Sequence, residues 1–337
     1  MIISFASGKG GTGKTTIAIN FALFLSQQNN HPAIQFLDCD VEEPNAAIFL
    51  KPKFTETISV GIPVPVVDFK KCTYCGKCAE VCAYNAIAVV NPAKYIQTKN
   101  KKTNEETSNI LSNGVKQDVL IFSELCHGCG GCTLLCPENA ISETNREIGI
   151  MQIGKADTIE FIHGKLNIGE PMAPPLIREI KKKRLGDKEK RRHGGNDQLP
   201  INQLTNHQFT IIDVPPGTSC PVIEAVKGSD FSILVTEPTP FGLHDLKLAV
   251  ETLRKINIPF GVVINRDGIG DSKTDQYCKK ENIPVLMRIP MDREIAVAYS
   301  NGFPLIKINT KYEAKFSELY KKIINEFNKR KYEIKRL

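Results

Sequence analysis

The sequence predicts an α/β protein: a doubly wound, mainly parallel sheet interrupted by an inserted cysteine-rich unit. Three observations carry that expectation. Short apolar runs alternate with helix-spaced apolar patterns near both ends of the chain, the signature of a parallel sheet covered on both faces. The alternation stops between about residues 61 and 205, and inside that gap lie eight of the eleven cysteines, in two runs of one spacing. A length of 337 residues leaves room for one large core and one smaller unit, since domains commonly run about 100 to 200 residues.

The elements follow in order. IISFA (2–6) is a short apolar strand, a Gly-rich turn follows, and TTIAINFALFLSQ (15–27) carries apolar residues at helical spacing. AIQFLDCD (33–40) gives a second strand. After the gap come FTIIDVPPG (209–217), FSILVTEP (231–238), FGVVINRDG (260–268) and PVLMRIP (284–290), with helical patterns at 243–256 and 292–300. Because strands of one sheet lie on both sides of the cysteine runs, those runs belong to an insertion. The expected boundaries are a sheet domain of 1–60 plus 207–337, an inserted domain of 61–150, and a connecting hairpin, helix and basic loop over 151–206.

Composition excludes some functions. No apolar run reaches the roughly 18 residues a membrane span requires, and MIISFASGKG lacks a charged leader before a long apolar stretch, so a cytoplasmic protein is expected. The net charge of +7 is local: 178–192 holds nine Lys/Arg against three acids and 307–337 ten against four. No aromatic residues interleave with those charges in a nucleic-acid motif, so a solvated face is expected and a nucleic-acid partner is not. Phe316, Leu319, Ile323 and Phe327 form a stripe near the C-terminus. A final helix packed on the sheet accounts for it better than an interfacial membrane helix does.

Gly8 to Thr15 fit G-x-x-x-x-G-K-[ST] between a strand and a helix, the P-loop pattern of nucleotide-binding proteins. Glycines there let successive backbone N–H groups face phosphate oxygens, and the helix N-terminus favours the anion. Gly10, Gly11, Thr12, Gly13, Lys14, Thr15 and Thr16 are the expected nucleotide contacts, with Lys14 on the β- and γ-phosphates of ATP and the Thr15 hydroxyl on Mg²⁺. Phosphoryl transfer also needs carboxylates at the water and behind the metal. Asp38, Asp40 and Asp213 follow strand ends, where ligands bind in open α/β sheets. Asp40 is assigned to the water, Asp38 and Asp213 to the magnesium shell, and the sequence leaves Asp38 and Asp40 exchangeable.

The loop's additional lysine, Lys9 in KGGTGKTT, resembles the deviant P-loop of the MinD/ParA family. LDCDVEEPN (37–45), IIDVPPG (211–217), VVINRDG (262–268) and RIPMDREIAVAYSNGFPLI (288–306) are similar to further motifs of that family, so the resemblance covers 1–60 and 207–337. It implies an ATPase that dimerises around ATP, with Lys9 reaching the partner's nucleotide, Asn265 contacting adenine, and Pro290 and Asp292 in the loop beside the base. Lys9, Lys14 and Asp40 are then the catalytic set.

CTYCGKCAEVC (72–82) and CHGCGGCTLLCP (126–137) are both C-x2-C-x2-C-x3-C, the spacing of bacterial two-cluster ferredoxins, repeated 54 positions apart. In such modules the fourth cysteine of each run ligates the other cluster. One [4Fe-4S] set is therefore Cys72, Cys75, Cys78 and Cys136, and the other Cys126, Cys129, Cys132 and Cys82. Structural zinc also uses Cys-x2-Cys pairs but poorly explains two repeated four-cysteine runs. Ala83 stands where proline usually follows the fourth cysteine, which removes no ligand. The whole chain resembles MinD/ParA-type ATPases with an inserted ferredoxin-like 2[4Fe-4S] domain, implying two clusters, ATP and Mg²⁺, a homodimer or a heterodimer with a related ATPase, and a further redox or cofactor-accepting protein. ATP-gated electron transfer is the first functional expectation. A cofactor carrier is the second, and a membrane-positioning ATPase the third.

Overall fold

The computed structural model describes residues 1–28, 33–90, 117–189 and 209–334. The polar stretch 98–109 and the last part of the basic run 178–192 lie outside the described residues. The strands are β1 (Ile2–Ala6), β2 (Ile34–Asp38), β3 (Lys53–Val67), β4 (Ile87–Val90), β5 (Asp118–Ile121), β6 (Ile141–Ala156), β7 (Ile159–Leu166), β8 (Phe209–Asp213), β9 (Phe231–Thr236), β10 (Phe260–Asp267) and β11 (Val285–Pro290). The helices are α1 (Lys14–Ser26), α2 (Ala46–Leu50), α3 (Lys77–Glu80), α4 (Gly131–Leu134), α5 (Ala173–Glu189), α6 (Cys220–Val226), α7 (Pro240–Lys255), α8 (Lys273–Lys280), α9 (Arg293–Ser300) and α10 (Thr310–Ile334).

Two compact units divide the chain. Met1–Ser59, Gly149–Asn167 and Ala173–Leu337 form the larger, and Val60–Ile148 with Ile168–Met172 the smaller. The large sheet has the order β11-β10-β9-β1-β8-β2-β7-β6-β3. It is parallel from β11 to β7, and β6 runs antiparallel to β7. Every residue of β2, β8 and β9 is buried, as helices on both faces require. The segment expected to connect the domains does more than connect: β7 pairs with β2 from Ile34↔Ile159 to Asp38↔His163 and so extends the parallel sheet. A tight turn at Asp157, in the left-handed region at φ 51°, brings β7 back from β6.

One face of the sheet carries α1, apolar on nearly every side because it lies between the sheet and α10. Ile17, Phe21 and Phe24 join Ile3, Phe5, Phe316, Leu319 and Ile323 in one core. Three of the four stripe residues, Phe316, Leu319 and Ile323, are thus buried in the core, each contributing roughly 1.5–3 kcal/mol, while Phe327 is half-buried. Among the described residues no helix is long and apolar enough to cross a membrane.

In the smaller unit the 54-residue repeat extends to the backbone. Tyr74, Gly76 and Asn85 have positive φ, and so do Gly128, Gly130 and Asn139 at the matching positions. Gly76 and Gly130 stand immediately before α3 and α4. The copies also exchange equivalent bonds: the Asp68 N–H donates to the Ala140 carbonyl at 2.7 Å, and the Phe122 N–H to the Ala86 carbonyl at 2.9 Å. β4 pairs antiparallel with β5.

Candidate functional site

The loop after β1 turns into α1 through Gly11 and Gly13, at φ 78° and 89°. A side chain at Gly13 would be strained by that angle and would strike the Asn265 amide. The loop walls a cavity of about 480 Å³, within the range of small-molecule sites. Lys9, Gly10, Gly11, Thr12, Gly13, Lys14, Thr15, Thr16, Asp40, Asn265, Pro290 and Asp292 all line it. Twelve positions chosen from four separated motifs therefore share one recess at the carboxyl ends of the strands.

Lys14 is 6% exposed and donates to Asp213 Oδ1 at 2.9 Å, with Asp40 Oδ2 at 3.5 Å. Burial works against its charge, but the attraction of Asp213 and then Asp40 outweighs it, so the ammonium is held above its ordinary pKa. Asp38 is fully buried beneath this pair and accepts from the Asp40 and Ala46 N–H groups, one at each oxygen, at 3.1 Å. Burial, then the neighbouring Asp213 charge, push its carboxyl well above the usual range. Asp40, which faces the cavity, is raised to about 6, chiefly by burial. Asp213 Oδ2 is buried with no hydrogen-bond partner among the described residues. That orphaned acceptor fits the oxygen ligation a magnesium ion takes.

Two expected residues have additional structural duties. Asn265 Nδ2 donates to the Thr12 carbonyl at 2.8 Å, tying β10 to the loop. Asp292 caps α9 by accepting from the Glu294 N–H at 2.9 Å and pairs with Lys311 at 3.7 Å. Sequence reasoning missed Glu237 and Arg266. Glu237 Oε2 lies 3.5 Å from Lys9 Nζ, and its Oε1 accepts from Arg266 Nη1 at 2.6 Å. The available signals were an acid directly after a buried strand and a cation directly after Asn265.

In the smaller unit, Cys72, Cys75, Cys78 and Cys136 line one recess, and Cys82, Cys126, Cys129 and Cys132 line a second. Each groups three cysteines of one run with the last of the other. The Ala86 and Ala140 N–H groups donate to Cys82 and Cys136 Sγ at 3.2 and 3.3 Å, and the Gly128 N–H to Cys126 Sγ at 3.4 Å. Among the described residues no three His, Cys, Asp or Glu side chains converge closely enough for a single metal ion. Four thiols lining one recess are a donor set that suits an iron-sulfur cube, where each thiolate binds a different iron. His127 stacks on Tyr84, ring centroids 3.4 Å apart.

A parallel sheet, a Gly-rich loop leading into α1 and a lysine clasped by carboxylates under a cavity define a nucleotide-binding α/β domain. The chain belongs to the CobQ/CobB/MinD/ParA nucleotide binding domain family, whose model matches residues 3–305. It is 31% identical over 317 residues to the uncharacterised protein MJ0579 of Methanocaldococcus jannaschii, covering 92% of this chain and 93% of that one. An iron-sulfur cluster carrier protein of Pyrococcus horikoshii is 29% identical over 134 residues, which are 35% of this chain and 45% of the carrier. Among solved structures, the septum site-determining protein MinD of Pyrococcus horikoshii, complexed with Mg-ADP, superposes with a TM-score of 0.52 at 16% identity, covering 96% of this chain and 95% of that one. At that identity the likeness concerns the fold alone.

Proposed function

We propose that this chain is an ATPase that couples nucleotide state and dimerisation to electron transfer through two [4Fe-4S] clusters. The observation that carries the reading is the crossed grouping of the eight thiols, on a chain that also holds the nucleotide cavity. In this reading Lys14 holds the β- and γ-phosphates of ATP, and Asp40 orients the attacking water beside it. Thr15 and Asp213 hold magnesium, with Asp38 behind them. Asn265, Pro290 and Asp292 take the adenine end, and Lys9 acts at the partner's nucleotide in a homodimer or related heterodimer. Cys72, Cys75, Cys78 and Cys136 would hold one cluster, and Cys126, Cys129, Cys132 and Cys82 the other. When bound, the clusters supply one-electron storage, while the amide N–H groups aimed at Cys82, Cys126 and Cys136 stabilise charge on sulfur. Anaerobic reconstitution followed by iron, sulfide and ATP-turnover assays is the test; zinc without sulfide would end it.

A carrier of iron-sulfur or metal cofactors is the second reading, favoured by the partial similarity to cluster carrier proteins. Cys220 is exposed at the start of α6, but Val222 and Ile223 follow where a second thiol would be needed to bridge a labile cluster. Transfer of iron to an apo-acceptor without net electron flow would favour it.

A further inference from the structure

Lys9 and Arg266 come from different segments, one from the loop after β1 and one just inside the end of β10, and both line the nucleotide cavity. Both meet a single carboxylate. Glu237 is 5% exposed, whereas the Lys9 and Arg266 side chains are 32% and 47% exposed. A buried carboxylate therefore holds two more exposed cations at the cavity wall, and Glu237 does not itself line that cavity. Arg266 is also constrained through its backbone, a non-glycine residue in the left-handed region at φ 52°, a conformation that surrounding structure must maintain.

We propose that Arg266 is a further nucleotide-binding residue, directed at the polyphosphate, and that Glu237 is its positioning residue, holding Arg266 and Lys9 in place until phosphate draws them away. The proposal rests on the nucleotide-binding reading of the same cavity. Its physical basis is competition: an entering polyphosphate offers several anionic oxygens in a fork geometry that guanidinium matches. Glu237 offers one carboxylate shared between two cations. The position of Glu237 behind the wall lets it pair with both cations without occupying phosphate space.

The test uses equilibrium binding of ADP by calorimetry, which leaves hydrolysis out. The variants are E237Q, R266Q, K9Q/R266Q and the triple variant K9Q/E237Q/R266Q, each in the full chain. E237Q should bind ADP about fivefold more tightly, the size two partly exposed ion pairs can contribute, and lose that gain more steeply as salt is added. R266Q should weaken ADP binding about threefold while remaining folded, because its side chain is half exposed and fills no core. Set against K9Q/R266Q, the triple variant should show no gain, a non-additivity that a merely structural role for Glu237 would not produce. Reductive methylation of Lys9 should be faster in E237Q. Native affinity in folded E237Q, or a gain that survives in the triple variant, overturns the proposal. Should E237Q fail to fold, native ADP affinity in R266Q overturns it as well. A native chain that binds no ADP defeats this inference together with the nucleotide reading, whereas native binding with an unaffected R266Q defeats this inference alone.

Discussion

Lys14 Nζ lies 2.9 Å from Oδ1 of Asp213, a residue 199 positions further along the chain. One buried ion pair thus joins the phosphate loop to the end of β8, the neighbour of β1 in the sheet. Replacing Lys14 with Ala should abolish ATP binding and, by leaving carboxylates buried without their cation, cost about 3 kcal/mol of stability. Nucleotide binding and denaturant unfolding of the same variant check both. A variant that still binds ATP would remove Lys14 from the phosphate site.

Lys9 occupies a different position, partly exposed at the rim. Lys9→Ala should retain ATP but lose nucleotide-driven dimerisation and turnover, measured by light scattering and phosphate release. Asp40→Ala should also retain ATP and hydrolyse it about a hundredfold more slowly, the scale of a lost proton-handling group. Unchanged turnover in Asp40→Ala would return the water-orienting role to Asp38.

Cys136 shares its recess with Cys72, Cys75 and Cys78 and not with its own run. The native chain should hold about eight iron and eight sulfide, two cubes. Cys136→Ala should lose about half, and the surviving signal should be that of the set containing Cys82. Loss confined instead to the cluster held by Cys126, Cys129 and Cys132 would reverse the crossed assignment.

β3 and β6 each begin in one compact unit and end in the other, so the backbone passes directly between sheet and cysteine unit. If nucleotide state is coupled to the clusters with the usual 1–3 kcal/mol, a one-electron potential shifts by roughly 40–130 mV. Linkage requires the converse, a matching change of ATP affinity on reduction. Redox titration with and without a nonhydrolysable ATP analogue, paired with binding to oxidised and reduced protein, reads both directions. Identical values throughout would leave the carrier reading standing.

His163, in β7, is buried beside Phe54 and Phe161 and bonds Gln152 Oε1 at 2.9 Å. Burial, then the charge of Lys165, lower its pKa from 6.5 to about 4. Between those values the unfolded chain binds the proton that the folded chain refuses. Stability from the neutral ring is therefore full above pH 6.5 and is lost as pH falls toward 4, by on the order of 3 kcal/mol. His163→Phe should flatten that part of the stability profile relative to the native chain, read from urea midpoints between pH 7 and pH 4.5.

What the sequence determined by itself was local. A P-loop is legible because its chemistry requires contiguous residues, Gly8 to Thr15, and the cysteine runs are legible because short gaps let three thiolates converge. The alternation of buried strands and helices likewise announced the parallel sheet, since both-face burial writes itself into each strand. The tertiary structure decided what depends on residues distant in the chain. It inserted β7 beside β2, because a hairpin's hydrophobic pattern does not name its second neighbour. It buried Asp38 behind Asp40 and put Asp213 on Lys14, a choice among three acids that all follow strand ends. It brought Glu237 between Lys9 and Arg266, a meeting no spacing encodes: their three segments converge only when β1, β9 and β10 lie side by side, because backbone hydrogen bonding along the sheet, and not sequence proximity, sets which loops share one edge.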